Sequence, residues 1–338
     1  MFRRFVLPIL ISLGLLLAAC GPASTPAPTV APTLAPTLEP TAPPTEAPTL
    51  PPTHTPTPAT EPLTLTDSLG REVTLAAPAE RIVTLAPSNT EIVFALGADE
   101  ALVGRDDFSD YPPEAANVAS VGSLYPNVNA ETIVALKPDL VLAAGVTNPD
   151  DVTKLADLGL TVYATSYAVT LDDIYHDILA VGKLTGTDSE AEGLVADLKA
   201  RVESVSIQSA SAANQPVVFY EVDATEPEKP WTAGTGTFMD ALITLAGGQN
   251  AGAVSDDYFQ ISLEQLITAD PDLIVLGSST YCGQTPETVA QRPGWQTLTA
   301  VKNNAVYPFD DNLVSRPGPR IVDGLEALAK LIHPELFK

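Results

Sequence analysis

The chain has 338 residues, of which 42 are Asp or Glu and only 17 are Lys or Arg, giving a formal net charge of −25 at pH 7. This acidity argues against a nucleic-acid-binding protein, because contacts to phosphates need clusters of Lys and Arg. After residue 62 the chain has one cysteine, Cys282, and two histidines, His176 and His333, so we expect neither an internal disulfide nor a histidine-rich metal site.

The first twenty residues predict an export signal. Two arginines precede an apolar stretch from Val6 to Leu17, which is too short for a comfortable membrane span. Residues 17–20, Leu-Ala-Ala-Cys, resemble the bacterial lipobox. The resemblance implies cleavage before Cys20, lipidation of its sulfur and attachment to the outer face of the cell membrane. An ordinary signal peptide with an incidental cysteine is the alternative.

Residues 21–62 predict an extended linker. Pro and Thr dominate this segment, and Pro fixes φ and removes a backbone donor, so the segment cannot build a hydrophobic core. The remaining chain, residues 63–338, is long enough for two domains.

Residues 63–170 predict a first α/β lobe. A hairpin is expected at 63–75, followed by strands at 81–86, 102–104, 140–144 and 161–165. Helices are expected at 88–96, 131–136 and 152–158, the first of them opened by a capping box at 88–91. Strands that alternate with helices favour parallel sheets covered on both faces.

Residues 171–210 predict a helical connection, interrupted at Gly186, whose second half is one long helix between the lobes. Residues 211–338 predict a second lobe. Its expected strands are 216–220, 273–276 and 306–308, and its expected helices are 237–246, the segment at Glu264, and 320–332. Residues 231–237 predict a loop that leads into a helix, without the Lys of a phosphate-binding loop.

One segment of the first lobe returns in the second. Residues 125–142 and 258–275 share Tyr, Glu, Pro, Asp and Leu at matching positions, each pair 133 residues apart. A repeat of this length is too long for a solenoid and indicates two similar lobes. Two lobes that face each other form a cleft, and clefts between domains are common sites for small ligands.

Four motifs, together with the lipobox and the repeat, carry a family resemblance. They are Ala-Pro-Ser-Asn-Thr-Glu at 86–91, Ser-Asp-Tyr-Pro-Pro at 109–113, Glu-x-Ile-Val-Ala-Leu-Lys-Pro-Asp at 131–139 and Arg-Pro-Gly-Pro-Arg at 316–320. In this order they resemble the cobalamin/ferric-siderophore class of ABC-importer substrate-binding lipoproteins. The resemblance implies two Rossmann-like α/β lobes joined by a single long helix, with the ligand in the cleft between them.

Glu131 and Glu264 are the candidate docking residues. In the family, one such glutamate on each lobe docks onto arginines of the permease. The alternative is an ordinary carboxylate at a helix start, where the helix dipole favours it. Occurrence in both lobes favours docking.

The candidate ligand-binding residues are expected in loops at the cleft. Aromatic side chains there give a large contact area with few rotors. The last strand ends where a doubly wound sheet presents its ligand face, and the resemblance implies that an acid and an arginine after it bind polar edges of the ligand. Packing at a loop end is the alternative for the tyrosines, and a salt bridge to Asp310 or Asp311 is the alternative for the arginine. Cys282 is expected to be an idle thiol. The candidates are Phe108, Tyr125, Tyr258, Tyr281, Asp311 and Arg316.

We therefore expect a monomeric, non-catalytic binding protein without a cofactor or a metal of its own. It would capture a corrinoid, either cobalamin or cobinamide, and deliver it to an ABC permease and its ATPase. A ferric hydroxamate siderophore or haem stays open as the ligand. An exported enzyme or a sensor module on the same fold is the alternative from another class, although the sequence shows no Ser-His-Asp order.

Overall fold

The computed structural model describes residues 62–337, which all belong to one compact unit, Thr57–Lys338. The expected export signal, Cys20 and the linker up to residue 61 lie outside the described residues. Within residues 62–337, no helix has both the length and the apolar character required to span a membrane.

Short strands and helices alternate along most of the described chain. The strands are β1 Leu63–Thr66, β2 Glu72–Leu75, β3 Ile82–Thr84, β4 Leu102–Arg105, β5 Leu140–Ala143, β6 Val162–Ala164, β7 Val217–Asp223, β8 Trp231–Ala233, β9 Gln249–Asn250, β10 Tyr258–Gln260, β11 Leu273–Leu276 and β12 Val306–Pro308. The α-helices are α1 Pro87–Ala95, α2 Ala130–Ala135, α3 Pro149–Asp157, α4 Leu171–Thr185, α5 Asp188–Ala210, α6 Phe238–Leu245, α7 Leu263–Ala269, α8 Ser278–Cys282, α9 Pro286–Ala290, α10 Thr299–Lys302, α11 Asn312–Ser315 and α12 Ile321–Ile332. Three 3₁₀ turns are Asp99–Ala101, Pro113–Asn117 and Trp295–Thr297.

The N-terminal lobe is built on a four-stranded sheet in the order β4-β3-β5-β6, and all of its pairings are parallel. Strand β5 is buried along its whole length, as a central strand covered on both faces should be. The expected hairpin is confirmed as the antiparallel pair β1-β2. The predicted α/β fold class is confirmed for this lobe.

The C-terminal lobe contains a six-stranded sheet in the order β10-β8-β7-β11-β12, with β9 also pairing with β7. The strands β7, β11 and β12 are parallel, but β8 pairs antiparallel with both β7 and β10. The parallel core of this sheet is as expected for the α/β fold class, whereas its antiparallel edge, formed by β8 and β10, was not predicted. The segment 231–237, expected as a loop, begins with strand β8 because its backbone pairs with strands on both sides.

The two lobes are connected through helices α4 and α5. The predicted break is confirmed at Gly186, which ends α4 with a left-handed φ of 73°. Helix α5 then runs for 23 residues and packs on α4 and on helices α6 and α12 of the C-terminal lobe. Arg201 of α5 donates to Asp323 at 2.5 Å and to Glu326 at 2.8 and 2.9 Å, so this helix is tied to α12 by charge as well as by packing.

The sequence repeat is a structural repeat. Helices α2 and α7 are each capped by a side chain, that of Asn129 in one lobe and of Ser262 in the other, which accepts a hydrogen bond from a backbone N–H of the first turn. Each is followed by a buried strand, β5 or β11, beginning 133 residues apart. The Asp that precedes each strand accepts backbone N–H groups from the neighbouring chain segment. Asp139 accepts from Glu80 and Arg81, and Asp272 accepts from Val217.

The predicted capping box at 88–91 is wrong, although the helix is real. Helix α1 begins one residue earlier, at Pro87, and no side chain caps it. Ser88 lies inside the helix and is buried. Glu91 does not reach back to the helix start, because its carboxylate is engaged by an arginine from the other lobe, described below.

Candidate functional site

The carboxyl ends of the parallel strands present the chemistry-bearing side chains. Loops that follow β4, β6, β11 and β12 carry tyrosines, carboxylates and one arginine, and residues of the two lobes approach one another there. Ligands of doubly wound sheets bind outside these strand ends. We call these side chains, together with Tyr258 at the start of β10, the cleft; it comprises Asp110, Tyr167, Tyr258, Tyr281, Asp311 and Arg316.

Tyr220 and Asp311 form the base of the cleft in the C-terminal lobe. The fully buried Tyr220 hydroxyl donates to Asp311 Oδ1 at 2.6 Å. The chain passes so close that a Cβ at Gly277 would lie 2.5 Å from the Tyr220 oxygen. Burial, then the charge of Asp311, raises the pKa of Tyr220, so this phenol remains a donor at neutral pH. Asp311 is thus buried and already hydrogen-bonded, and it supports the cleft floor.

Each lobe contributes an exposed or partly exposed tyrosine to the cleft. Tyr167 follows β6 and is 64% exposed, whereas Tyr258 starts β10 and is 38% exposed. Burial raises the pKa of Tyr258 to about 12, and electrostatic interaction with Tyr167 and Asp311 adds to this. At neutral pH Tyr258 therefore offers an aromatic face and an O–H donor.

The loop that carries Tyr167 is held from two sides. Asp177 of α4 accepts from the backbone N–H of Ser166 at 3.0 Å and from its hydroxyl at 2.6 Å. On the other side, a Cβ at Gly145 would lie 2.3 Å from the Tyr167 nitrogen, so only glycine permits this approach. The Tyr167 backbone is therefore held in place although its ring is exposed.

Arg316 links the lobes in the cleft. Its guanidinium donates to Asp110 Oδ1 at 2.6 Å and lies 3.5 Å from Glu91 Oε1. Burial by itself would lower the pKa of Arg316, but the hydrogen bond to Asp110 and the charges of Asp110 and Glu91 more than offset this, and the pKa is raised. The same hydrogen bond holds the pKa of Asp110 below its ordinary value. Arg316 is therefore positively charged, and the carboxylates of Asp110 and Glu91 balance its charge.

Arg320, the second arginine of the motif at 316–320, also contacts the Glu91 carboxylate. Arg320 donates to Glu91 Oε2 at 2.8 Å and to Oε1 at 2.6 Å, and its guanidinium carbon lies 3.8 Å from the centre of the Tyr111 ring. The expected alternative for Arg316, a salt bridge to Asp310 or Asp311, is wrong, because its partners come from the N-terminal lobe. Asp310 instead accepts from Asn312.

The remaining predicted ligand residues are exposed at the same strand ends. Phe108 and Tyr125 lie in the long loop after β4 and are 57% and 67% exposed. Tyr281, in α8, donates to Asn312 at 2.5 Å and lies beside Arg316. Of the six predicted residues, four belong to the cleft as defined above, namely Tyr258, Tyr281, Asp311 and Arg316, while Phe108 and Tyr125 are more exposed on the loop that also carries Asp110. Tyr258 was expected in a loop but begins a strand.

Several residues of this region were missed from the sequence. Tyr167 follows a predicted strand and was detectable by the rule used for the other loops. Asp110 and Tyr111 stood within a quoted motif, but their partners lie more than 200 residues away in the chain. Trp231, 42% exposed in β8, was hidden by the loop prediction. Cys282 is a half-buried free thiol, 3.7 Å from an Asp223 oxygen.

The two candidate docking helices present matching surfaces. Glu131 and Glu264 are exposed in the first turns of α2 and α7. One helical turn later, Val134 and Ile267 are 40% and 44% exposed, again at matching positions of the repeat. Residues three apart share a helix face, so each lobe shows an acid beside an apolar side chain.

Two cavities lie outside the cleft. One, of about 630 Å³, lies in the C-terminal lobe near the start of α7, and its lining includes Lys229, Leu263 and Trp295. The other, of about 340 Å³, lies where α1, α5 and α12 meet and includes Glu91 and Arg320. Among residues 62–337, no group of three or more His, Cys, Asp or Glu side chains is placed to hold a metal ion.

The chain is similar in sequence and in structure to known proteins. Residues 82–313 match the family described as Periplasmic binding protein. An ABC transporter substrate-binding lipoprotein of Bacillus subtilis strain 168, YvrC, is 35% identical over 282 residues, which cover 82% of this chain and 87% of the relative.

The vitamin B12-binding protein of Vibrio cholerae serotype O1 is 34% identical over 254 residues, covering 74% of this chain and 87% of the relative. The crystal structure of the Vibrio cholerae protein, BtuF, superposes with a TM-score of 0.64 at 31% identity, covering 76% of this chain and 98% of that one. The periplasmic haem-binding protein RhuT from Roseiflexus sp. RS-1 superposes with a TM-score of 0.69 at 27% identity, covering 76% and 98%.

Proposed function

The chain belongs to the periplasmic binding protein family, and from that premise we propose that it captures a corrinoid outside the cell membrane and delivers it to an ABC permease. The family is non-catalytic, and its members bind a small molecule for a permease partner. The chain is therefore an ABC substrate-binding protein of the B12, haem and siderophore class. The choice of a corrinoid within that class is the proposal.

The neutralised arginine of the cleft carries the proposal. Arg316 is paired with Asp110 and Glu91, so it offers little free charge to an anionic ligand. A ferric catecholate or the propionates of haem would need unpaired cations to offset their charge. A corrinoid is edged by amides, which donate to carboxylates and accept from phenols without a free cation.

The aromatic side chains suit a large, flat-sided ligand. Tyr258, Tyr167 and Tyr281 offer ring faces and hydroxyls from both lobes, and Phe108 and Tyr125 extend this surface from the loop after β4. Each ring adds contact area with only two rotors to immobilise. In this proposal Asp311 supports the floor through Tyr220, and Arg316 binds amide oxygens at the ligand edge.

The relatives support the ligand class. A protein named vitamin B12-binding is 34% identical to this chain over most of its length. A neutral ferric hydroxamate is the second candidate, because it would also need no free cation.

Delivery is proposed to use α2 and α7. Glu131 and Glu264 would meet basic sites on the permease, and Val134 and Ile267 would pack against apolar residues beside them.

Lipidation at Cys20 would tether the protein to the outer face of the membrane. The linker, residues 21–62, would let the lobes reach away from the membrane surface. The lobes would be residues 63–170 and 211–338, joined by residues 171–210. We propose that the protein acts as a monomer, with the ATPase as the permease's partner.

The test is retention of a coloured ligand. The full chain is incubated separately with cyanocobalamin, dicyanocobinamide, haemin and a ferric hydroxamate, passed through gel filtration and examined by visible absorbance. We expect a corrinoid spectrum to co-elute with the protein at 1:1 stoichiometry. Retention of haemin or of the hydroxamate, with no corrinoid retained, would overturn the proposal.

A further inference from the structure

Two of the motifs that mark the family meet in the fold, although the chain separates them by more than 200 residues. The motif 86–91 forms the start of α1 in the N-terminal lobe, and the motif 316–320 leads into α12 in the C-terminal lobe. They join through Glu91 and the two arginines, Arg316 and Arg320. Of these three side chains only Arg316 is a proposed ligand contact, and Glu91 reaches both arginines.

The ion pair between Glu91 and Arg320 is buried and bidentate. The Glu91 side chain is 2% exposed and that of Arg320 is 14% exposed. Both carboxylate oxygens accept from Arg320, at 2.8 and 2.6 Å. Two parallel hydrogen bonds between planar groups fix direction as well as distance. A pair this buried is also little weakened by salt.

The backbone around the pair is equally close. A Cβ at Gly318 would lie 3.4 Å from the carbonyl oxygen of Ser88, so the second motif rests against the first turn of α1. Tyr111 covers the Arg320 guanidinium from the N-terminal lobe, at 3.8 Å. Three groups of one lobe, namely the Ser88 carbonyl, the Glu91 carboxylate and the Tyr111 ring, therefore contact one short segment of the other.

A cavity beside the Glu91–Arg320 ion pair leaves few other side-chain contacts between the lobes at that position. The cavity of about 340 Å³ adjoins Glu91 and Arg320 and separates parts of α1, α5 and α12. Side-chain packing is incomplete at this level of the molecule, so the ion pair and the ring on it connect the lobes there. Arg316 is four residues before Arg320, and its position in the cleft depends on the same segment.

We propose that Glu91 and Arg320 are positioning residues, which tie α1 to the start of α12, set the gap between the two lobes and thereby hold Arg316 in the cleft. The inference rests on the cleft being the ligand site, and it applies to the ligand-free protein as well. Loss of the pair would let the lobes sample wider gaps. Apparent affinity falls in proportion to the population that keeps the binding geometry.

The test measures the gap directly. Spin labels are placed at Lys154→Cys in α3 and Lys302→Cys in α10, both exposed, in the full chain carrying Cys20→Ser and Cys282→Ser. Pulsed dipolar spectroscopy then gives the distance distribution without ligand. The variants are Glu91→Gln, which removes the charge, and Arg320→Lys, which keeps the charge but loses the second hydrogen bond.

Arg201→Gln is the matched control. Arg201 lines the same cavity and is also in a charged pair, but its partners Asp323 and Glu326 both lie in α12. A role limited to stability would lower the melting temperature of all three variants and leave the distances alone. A positioning role would broaden the distances only in Glu91→Gln and Arg320→Lys.

We expect Glu91→Gln to broaden the distance distribution and to weaken cyanocobalamin binding about tenfold, as when one molecule in about ten keeps the binding geometry. Arg320→Lys should show the same changes to a smaller extent. Unchanged distances in a folded Glu91→Gln protein overturn the inference; if that variant does not fold, unchanged distances in Arg320→Lys do so. Failure of the wild-type chain to bind cyanocobalamin would overturn the corrinoid proposal, and the ligand-free distances would still decide this one.

Discussion

The two halves of the internal repeat agree on the outside of the molecule and differ at the cleft. Helices α2 and α7 share a capping side chain, an exposed glutamate and an exposed apolar residue at matching positions. The matching tyrosines do not agree. Tyr125 lies in a loop and is 67% exposed, whereas Tyr258 begins a strand and is 38% exposed.

This difference separates two demands on the protein. A permease made of two equivalent subunits would favour equal surfaces on the two lobes, and α2 and α7 meet that demand. A ligand with unlike edges would favour unlike walls, and the two tyrosines differ in exposure and in secondary structure. In this account the exposed helix faces serve the partner and the strand ends serve the ligand.

The largest effect is expected from reversing charge on both docking helices. The double variant Glu131→Arg/Glu264→Arg should nearly abolish uptake into vesicles containing the permease, because like charges at an interface cost several kcal/mol. Ligand affinity of the isolated protein should stay unchanged. Glu192→Arg in α5, another exposed glutamate, is the matched control for the change in charge. Uptake at the wild-type rate by the double variant would remove the helices from the docking surface.

The next effect sharpens the contrast between the tyrosines. Tyr258→Ala should weaken ligand binding by about 2 kcal/mol, because it removes a partly buried ring, whereas Tyr125→Ala should cost about 1 kcal/mol or less. Fluorescence titration with cyanocobalamin measures both. Equal losses would mean that the repeat is symmetric for the ligand too.

A smaller effect is expected from the apolar residues beside the glutamates. Val134→Ser and Ile267→Ser should each reduce uptake by a few-fold, since burying one such side chain at an interface contributes about 1 kcal/mol. The two losses should be similar, because the positions match. A loss in one variant alone would show that docking is one-sided.

The smallest effect is expected from lowering the pH, which should leave ligand affinity nearly unchanged between pH 7 and pH 5. The hydrogen bond from Arg316 lowers the pKa of Asp110 below the ordinary 3.8. The pair is therefore complete above that value and is lost only as the pH falls through the lower, folded-state pKa. Cyanocobalamin affinity measured from pH 7 to pH 5 should be flat. A loss centred near pH 6 would show that some other group controls binding.

The sequence predicted best what depends on local pattern. Helix α2 and the strands β5 and β11 were located to within one residue, and the helical segment expected at Glu264 is α7, because apolar runs and Pro-Asp turns are local signals. The long helix after Gly186 was found for the same reason.

Prediction failed where distant residues decide the structure. Residues 88–91 have the letters of a capping box, but Glu91 is claimed by Arg320 from the other lobe. Strand β8 has three residues and exists because β7 and β10 pair with it. Arg316 lies after the last strand, as expected, yet its partner Asp110 is 206 residues away and no local pattern indicates it.

One measurement tests the central claim most directly. The full chain is mixed with equimolar cyanocobalamin and haemin, and native mass spectrometry reads which ligand it retains, in the wild type and in Asp110→Asn. Because Asp110 neutralises Arg316, we predict a cyanocobalamin adduct in the wild type and a gain of haemin adduct when that carboxylate is removed. A wild-type protein that retains haemin in preference to cyanocobalamin would contradict the account.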